Sequence, residues 1–248
     1  MRNVRLILSY DGTDFSGWQV QPDAPTIQGT LALAIGRITG ENVLPQASGR
    51  TDAGVHALAQ VASFATRSPM PIANFVKALN DALPPSIRIL EAVEKPAEFH
   101  ARKSARRKIY RYRIYRGDIC PPVLARYVCH YPYPLDEEAM AKAAKFVLGE
   151  RDFTSFAAVD GERGVEESSN VRTVFASSWE RQADELVYTV EGSGFLHHMV
   201  RNLVGTFLLV GRGTWQVEQI EKILAARSRS AARATAPASG LWLVKVDY

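Results

Sequence analysis

Apolar and polar positions alternate over residues 4–10, with Val4, Leu6, Leu8 and Tyr10 set against Arg5, Ile7 and Ser9. A period of two over seven residues predicts a strand. A long loop rich in Gly, Asp and Pro follows at 11–25. Thr26 reads as a helix N-cap, Ile27, Leu31, Ala34, Ile35 and Ile38 as one apolar face, and Gly40 as the stop. Strands are predicted at 42–47 and 59–66, separated by a loop at 48–58. Ile72, Phe75, Val76, Leu79 and Leu83 mark a second helix that Pro84 and Pro85 end, and 87–93 reads as a further strand. This β-α-β-β-α-β order is the ferredoxin-like unit.

The second half repeats the order. Residues 108–115 alternate as a strand, and Asp136 N-caps a helix through Met140, Ala143, Ala144, Val147 and Leu148 to Gly149. Residues 173–180 and 186–192 form a predicted hairpin around Gln182, Ala183 and Asp184. Helices follow at 198–210 and 217–226, then a last strand at 241–246. The expected fold is α+β: two ferredoxin-like halves, 1–104 and 105–248, whose antiparallel sheets join. Helices are expected on one face, with the active-site cleft between the halves. Two polar stretches, 160–170 and 227–239, read as mobile, solvated loops, although the arginines of the second are also suited to phosphate.

A chain of 248 residues with 46% hydrophobic and 23% charged positions has the composition of a globular protein. That excludes extended disorder, a fibrous repeat and a disulfide scaffold. The uncharged run at 202–211 is far shorter than the ~20 residues a membrane span needs. The opening Met1-Arg2-Asn3-Val4-Arg5 does not read as a secretory leader, so a cytoplasmic protein with no membrane role is expected. Cys120 and Cys129 are too far apart for a CxxC pair and are expected to be reduced. The net charge of +4 is more informative once localised. Residues 102–116, RKSARRKIYRYRIYR, hold eight Lys/Arg and no acid, leaving the rest of the chain with 22 basic against 26 acidic residues. Charge clustered in this way is a footprint for a polyanion.

Three stretches carry candidate chemistry. Gly49-Arg-Thr-Asp-Ala-Gly-Val-His-Ala57 lies between two predicted strands, where glycines permit sharp bends and close approach of a ligand. Asp52 reads either as a turn aspartate accepting its own backbone amides or as a carboxylate displayed for chemistry beside Arg50. A metal site is the weaker idea, since His56 is the sole other ligand type nearby. The basic strand places Tyr110, Tyr112 and Ile114 on one face and Arg111, Arg113 and Tyr115 on the other. Either Tyr110 or Tyr112 suits base stacking beside cations that hold phosphate, and a solvated basic edge strand is the alternative. In Gly192-Ser-Gly-Phe-Leu-His-His-Met-Val-Arg-Asn202, Arg201 lies on an apolar helix and needs a partner, either a structural acid or Asp52. The four tryptophans read as core or interface residues.

Taken together these segments resemble the tRNA pseudouridine synthase A (TruA) family. The resemblance rests on Tyr10-Asp-Gly-Thr-Asp-Phe-Ser-Gly-Trp18, the Gly49–Ala57 motif, Phe99-His-Ala-Arg102 and Lys108-Ile-Tyr-Arg-Tyr112. Phe153-Thr-Ser-Phe156, Met199-Val-Arg-Asn202 and Ala236-Pro-Ala-Ser-Gly-Leu241 complete it, all in family order across nearly the whole chain. It implies an isomerase acting on uridines 38, 39 and 40 of the tRNA anticodon stem-loop, working as a homodimer with no cofactor and no metal. By the same resemblance Asp52 is the catalytic aspartate, Tyr110 contacts the target base, and Arg201 pairs with the aspartate. Leu241 lines the uracil pocket, and Arg50 contacts RNA and helps expose the nucleotide. A carboxylate serves this chemistry by attacking C1′ or by taking the C2′ proton to give a glycal, and the residues do not choose between these. A retaining N-glycosidase also uses one carboxylate but needs a second group to activate water, and no second acid stands out. A non-catalytic RNA-binding protein would keep the basic strand and have no need of Asp52.

Overall fold

The computed structural model describes residues 1–158 and 169–248. The stretch expected to be mobile at 160–170 lies outside those residues except for its last two. In chain order the elements begin with β1 (Arg2–Tyr10), α1 (Ile27–Thr39), β2 (Gln46–Ala47), β3 (His56–Thr66), α2 (Ile72–Ala82) and β4 (Ile87–Lys95). Next come β5 (Arg107–Tyr115), α3 (Pro122–Ala125), β6 (Cys129–His130), α4 (Glu137–Lys145), β7 (Gly149–Asp152), β8 (Val171–Gln182) and β9 (Glu185–Gly192). The chain closes with α5 (Met199–Gly211), α6 (Gln219–Ala226), α7 (Arg229–Ala232) and β10 (Leu241–Asp247). The described residues form two compact units, Met1–Arg106 with Trp242–Tyr248, and Arg107–Leu241. The division expected after residue 104, with everything beyond it in one half, therefore needs correction at its end. Trp242–Tyr248 goes with the first unit because Trp242 and Leu243 pair in parallel with His56 and Ala57 of β3.

The first unit is α+β, with strand order β4-β1-β3-β10. Val4, Leu6, Leu8 and Tyr10 are buried along β1, as their alternation predicts. Thr26 caps α1 by accepting from Gly29 N–H, and Gly40 ends it at φ 73°. Phe75 and Leu79 bury the apolar face of α2. The strand expected at 42–47 shrinks to Gln46–Ala47. Pro45 has no N–H for a ladder, and its carbonyl is taken by Gln28 Nε2 at 3.0 Å. Because β1 occupies one edge of β3, β2 and β10 share the other, at Ala62–Ser63 and His56–Ala57. The chain between β2 and β3 thus emerges along a sheet edge, which gives the Asp52 loop its place.

The second unit has strand order β5-β9-β8-β7, with β6 parallel to β5. Asp136 caps α4 through Ala139 N–H at 2.8 Å, with Glu137 and Glu138 in the first turn and Lys142 and Lys145 near the end, the arrangement the helix dipole favours. The helix expected to reach Gly149 stops at Lys145. Gly149 takes φ 85° and starts β7, a strand the periodicity missed, which pairs antiparallel with Val171–Val174. Helix α5 is buried on nearly all sides, and its Phe207 forms an aromatic cluster with Trp179 of β8 and Tyr188 of β9. Beside the expected antiparallel pairs the sheets carry two parallel ones, β3–β10 and β5–β6.

Candidate active site

The Asp52 loop is held from three sides within the first unit. The Thr51 carbonyl accepts from Trp18 N–H at 3.0 Å, and Gly54 N–H donates to the Phe15 carbonyl at 3.4 Å. Asp52 closes the turn with its own carbonyl, which accepts from Val55 N–H at 3.1 Å, while Gly54 adopts φ 75°. Gly12 lies so close that a Cβ there would sit 2.0 Å from the Val55 carbonyl oxygen. The Tyr10–Trp18 motif and the Gly49–Ala57 motif are therefore two packed loops, and the second explains Gly12 and Gly17 in the first. The Asp52 side chain is half-buried and Arg50 is exposed. His56 is fully buried, its ring stacked on Trp242 at 4.4 Å, and its Nδ1 accepts from Gly12 N–H at 3.2 Å. That describes a structural histidine.

In the second unit, register separates the two tyrosines that sequence left equivalent. Tyr112, opposite Tyr188, is fully buried, and its hydroxyl donates to the Pro237 carbonyl at 2.8 Å. Burial pushes its phenol well above the usual tyrosine range. It is a core residue. Tyr110, opposite Val190, is 7% exposed, and its ring meets Phe195 edge-on at 5.1 Å and 81°. Phe195 was missed by sequence reasoning, since an aromatic in a Gly-rich turn carries no periodicity.

Arg201 sits in the first turn of α5, just after His198 at φ 60°, a conformation costly for a residue with a Cβ. Its Nε donates to the Ala236 carbonyl at 2.9 Å, and its own carbonyl accepts from Ala236 N–H at 3.0 Å. The next residue, Asn202, has no exposure at all. Its Nδ2 donates to the Phe156 carbonyl at 2.6 Å, and its Oδ1 accepts from Thr235 Oγ1 at 2.6 Å and Arg229 Nη2 at 3.0 Å. The 227–239 stretch, expected to be a loose solvated loop, is instead built onto α5. Ala232 and Ala236 are buried, and the Ala234 carbonyl is close enough to Gly205 that a Cβ would meet it at 2.6 Å. A lone asparagine on an apolar helix was the available signal, because a buried amide must find partners. Leu241, which opens β10, is 5% exposed. Both cysteines are free thiols.

The basic segment is only partly available to a polyanion. Arg113 makes paired contacts with Glu185 at 2.6 and 2.7 Å, and Arg107 meets Glu191 at 3.1 Å. Arg116 is drawn onto the Tyr131 and Tyr133 carbonyls. Arg102, Lys103, Arg106 and Arg111 are exposed. No helix among the described residues is long and apolar enough to cross a membrane.

The family described as tRNA pseudouridine synthase matches residues 6–102 and 143–248. Fold and motifs thus define an isomerase of the pseudouridine synthase class. Over its whole length the chain is 51% identical to the tRNA pseudouridine synthase A of Solibacter usitatus, covering 100% of that protein. It is 47% identical to that of Moorella thermoacetica, with 99% of each chain covered. Against that of Halalkalibacterium halodurans it is 46% identical, over 97% of this chain and 90% of the relative. The chain belongs to the tRNA pseudouridine synthase A family, whose reaction isomerises uridine to pseudouridine in tRNA.

Proposed function

We propose that this chain acts on uridines 38, 39 and 40 of the tRNA anticodon stem-loop and that Asp52 carries the chemistry. The single observation that supports the assignment most is the build of the Asp52 turn, set by backbone contacts on both sides of the residue. In the reaction the N1–C1′ bond breaks, uracil turns, C5 bonds to the same C1′, C5 loses its proton and N1 gains one. Asp52 either attacks C1′ to give an ester or removes the C2′ proton to give a glycal. Arg201 pairs with the carboxylate and keeps it ionised. Tyr110 stacks on the uracil and takes the C5 proton, Leu241 lines the uracil pocket, and Arg50 helps draw the nucleotide from its stack. The conversion is a redox-neutral isomerisation, balanced without a co-substrate, so no cofactor or metal is part of the proposal. The enzyme works as a cytoplasmic homodimer. Tritium release from C5-labelled tRNA tests the reading, with the modified positions mapped. Release at 38–40 without free uracil is expected; free uracil would mark a glycosidase, and no release would leave an RNA-binding protein.

Binding of tRNA is expected to weaken steeply with salt, through the exposed cations alone. Removing one cation from a phosphate lowers the log–log salt slope by about 0.7–0.9. Replacing Arg102 and Lys103 with glutamine should therefore lower the slope by about 1.4–1.8. Arg113→Gln should leave it unchanged, because that charge is already neutralised by Glu185. Equal slopes for the two variants would reject this division.

A further inference from the structure

A buried polar chain, unused by the chemistry above, ends at the residue before Asp52. Gln60 on β3 has no exposure. Its Oε1 accepts from Ser48 Oγ at 2.6 Å and from Val61 N–H at 3.1 Å. Its Nε2 donates to the Gly49 carbonyl at 3.0 Å and reaches the Tyr10 hydroxyl at 3.5 Å. The Tyr10 hydroxyl in turn shares a 2.8 Å hydrogen bond with Thr51 Oγ1. Tyr10 and Thr51 are 2% and 6% exposed, and burial pushes the Tyr10 phenol up to about 12, so it stays protonated.

The geometry locks the loop at both ends of its first half. Gln60 grips the entry at Ser48 and Gly49, and Tyr10 grips the side chain of Thr51. The Thr51 carbonyl is held separately by Trp18 N–H, and the Asp52 carbonyl by Val55 N–H. The residue preceding Asp52 is thus fixed at side chain and carbonyl together. Buried polar groups of this kind stabilise no better than well-packed apolar ones of the same shape, but they specify one arrangement.

We infer that Tyr10, Thr51 and Gln60 are positioning residues that set the Asp52 carboxylate against the ribose, without touching substrate themselves. The inference rests on the catalytic reading of Asp52. Misplacement of a reacting group by about 1 Å costs about 10²-fold in rate. A variant that frees the loop should therefore lose turnover and keep tRNA affinity.

The test uses the full chain and compares single-turnover rates with tRNA dissociation constants. Thr51→Val keeps the shape and removes the hydroxyl; it should slow turnover about 10- to 100-fold, with affinity within about twofold. Thr51→Ser restores the oxygen and should recover the rate to within about threefold of wild type. Tyr10→Phe should resemble Thr51→Val, and the double variant should be no slower than the slower single, since both changes break the same hydrogen bond. A purely structural role moves unfolding temperature and activity together; it gives no loss confined to turnover and no rescue by serine. Wild-type rates in Thr51→Val, equal loss in Thr51→Ser, or additive losses would overturn the inference. If Thr51→Val does not fold, Tyr10→Phe, which keeps the ring and loses one oxygen, carries the test. Asp52→Asn run in parallel separates the two ideas. Turnover there sinks the catalytic reading; a dead Asp52→Asn beside a normal Thr51→Val sinks the positioning role alone.

Discussion

Asp52→Asn is expected to abolish pseudouridine formation while leaving the protein folded. The contacts that shape its turn come from the Asp52 carbonyl, the Thr51 carbonyl and hydroxyl, and the Gly12–Val55 backbone contact. Asparagine keeps every one of them. Stability should therefore change little, by about 0.5 kcal/mol for the turn and up to about 1 kcal/mol more for the pair with Arg201 proposed above. The amide can neither attack C1′ nor remove a proton, so the rate should fall by about 10⁴-fold or more. Thermal unfolding and tritium release on the same preparation check both halves. An Asp52→Asn protein that turns over near the wild-type rate would remove Asp52 from the chemistry.

Tyr110 should separate ring from hydroxyl. Tyr110→Phe keeps the aromatic face and the edge contact with Phe195. Stacking on a base is worth about 1–3 kcal/mol and needs only the ring, so tRNA affinity should stay within a few-fold. Proton removal from C5 needs the phenol oxygen, and its loss should slow turnover about 10²- to 10⁴-fold. Tyr110→Leu gives up both functions and should lose affinity as well as rate. Binding and single-turnover measurements on the pair decide the matter. Unchanged turnover in Tyr110→Phe would reduce the residue to a stacking surface. The adjacent Tyr112 offers a contrast: Tyr112→Phe breaks the bond to the Pro237 carbonyl and the contact with Cys129, both within the core, so its effect should appear in stability first.

Much of the scaffold was legible because its signals are local. The alternation along β1 and β5, the caps at Thr26 and Asp136, and the left-handed glycine at Gly40 need only a few neighbouring residues to operate. The Gly49–Ala57 motif was likewise readable, down to the bend at Gly54. Its closeness to the Tyr10–Trp18 motif was not, because that contact is backbone packing joined by the Tyr10–Thr51 hydroxyl pair and the Gly12–His56 bond, none of which leaves a periodic pattern.

What tertiary structure decided was partnership. Periodicity gives a strand's buried face but not its neighbour, so the pairing of the last strand with β3 and the existence of β7 lay beyond it. The same holds for charge. Arg113 reads as a phosphate ligand until the β5–β9 register sets Tyr115 opposite Glu185, which brings the guanidinium diagonally onto that carboxylate. Tyr110 and Tyr112 share a face and a residue type, and only burial under Gly240 and Pro237 makes one of them core. Gln60 shows the limit most clearly. In sequence it is one polar residue in an apolar strand, and its partners Ser48, Gly49 and Tyr10 come from two other segments, which a folded chain alone can bring to it.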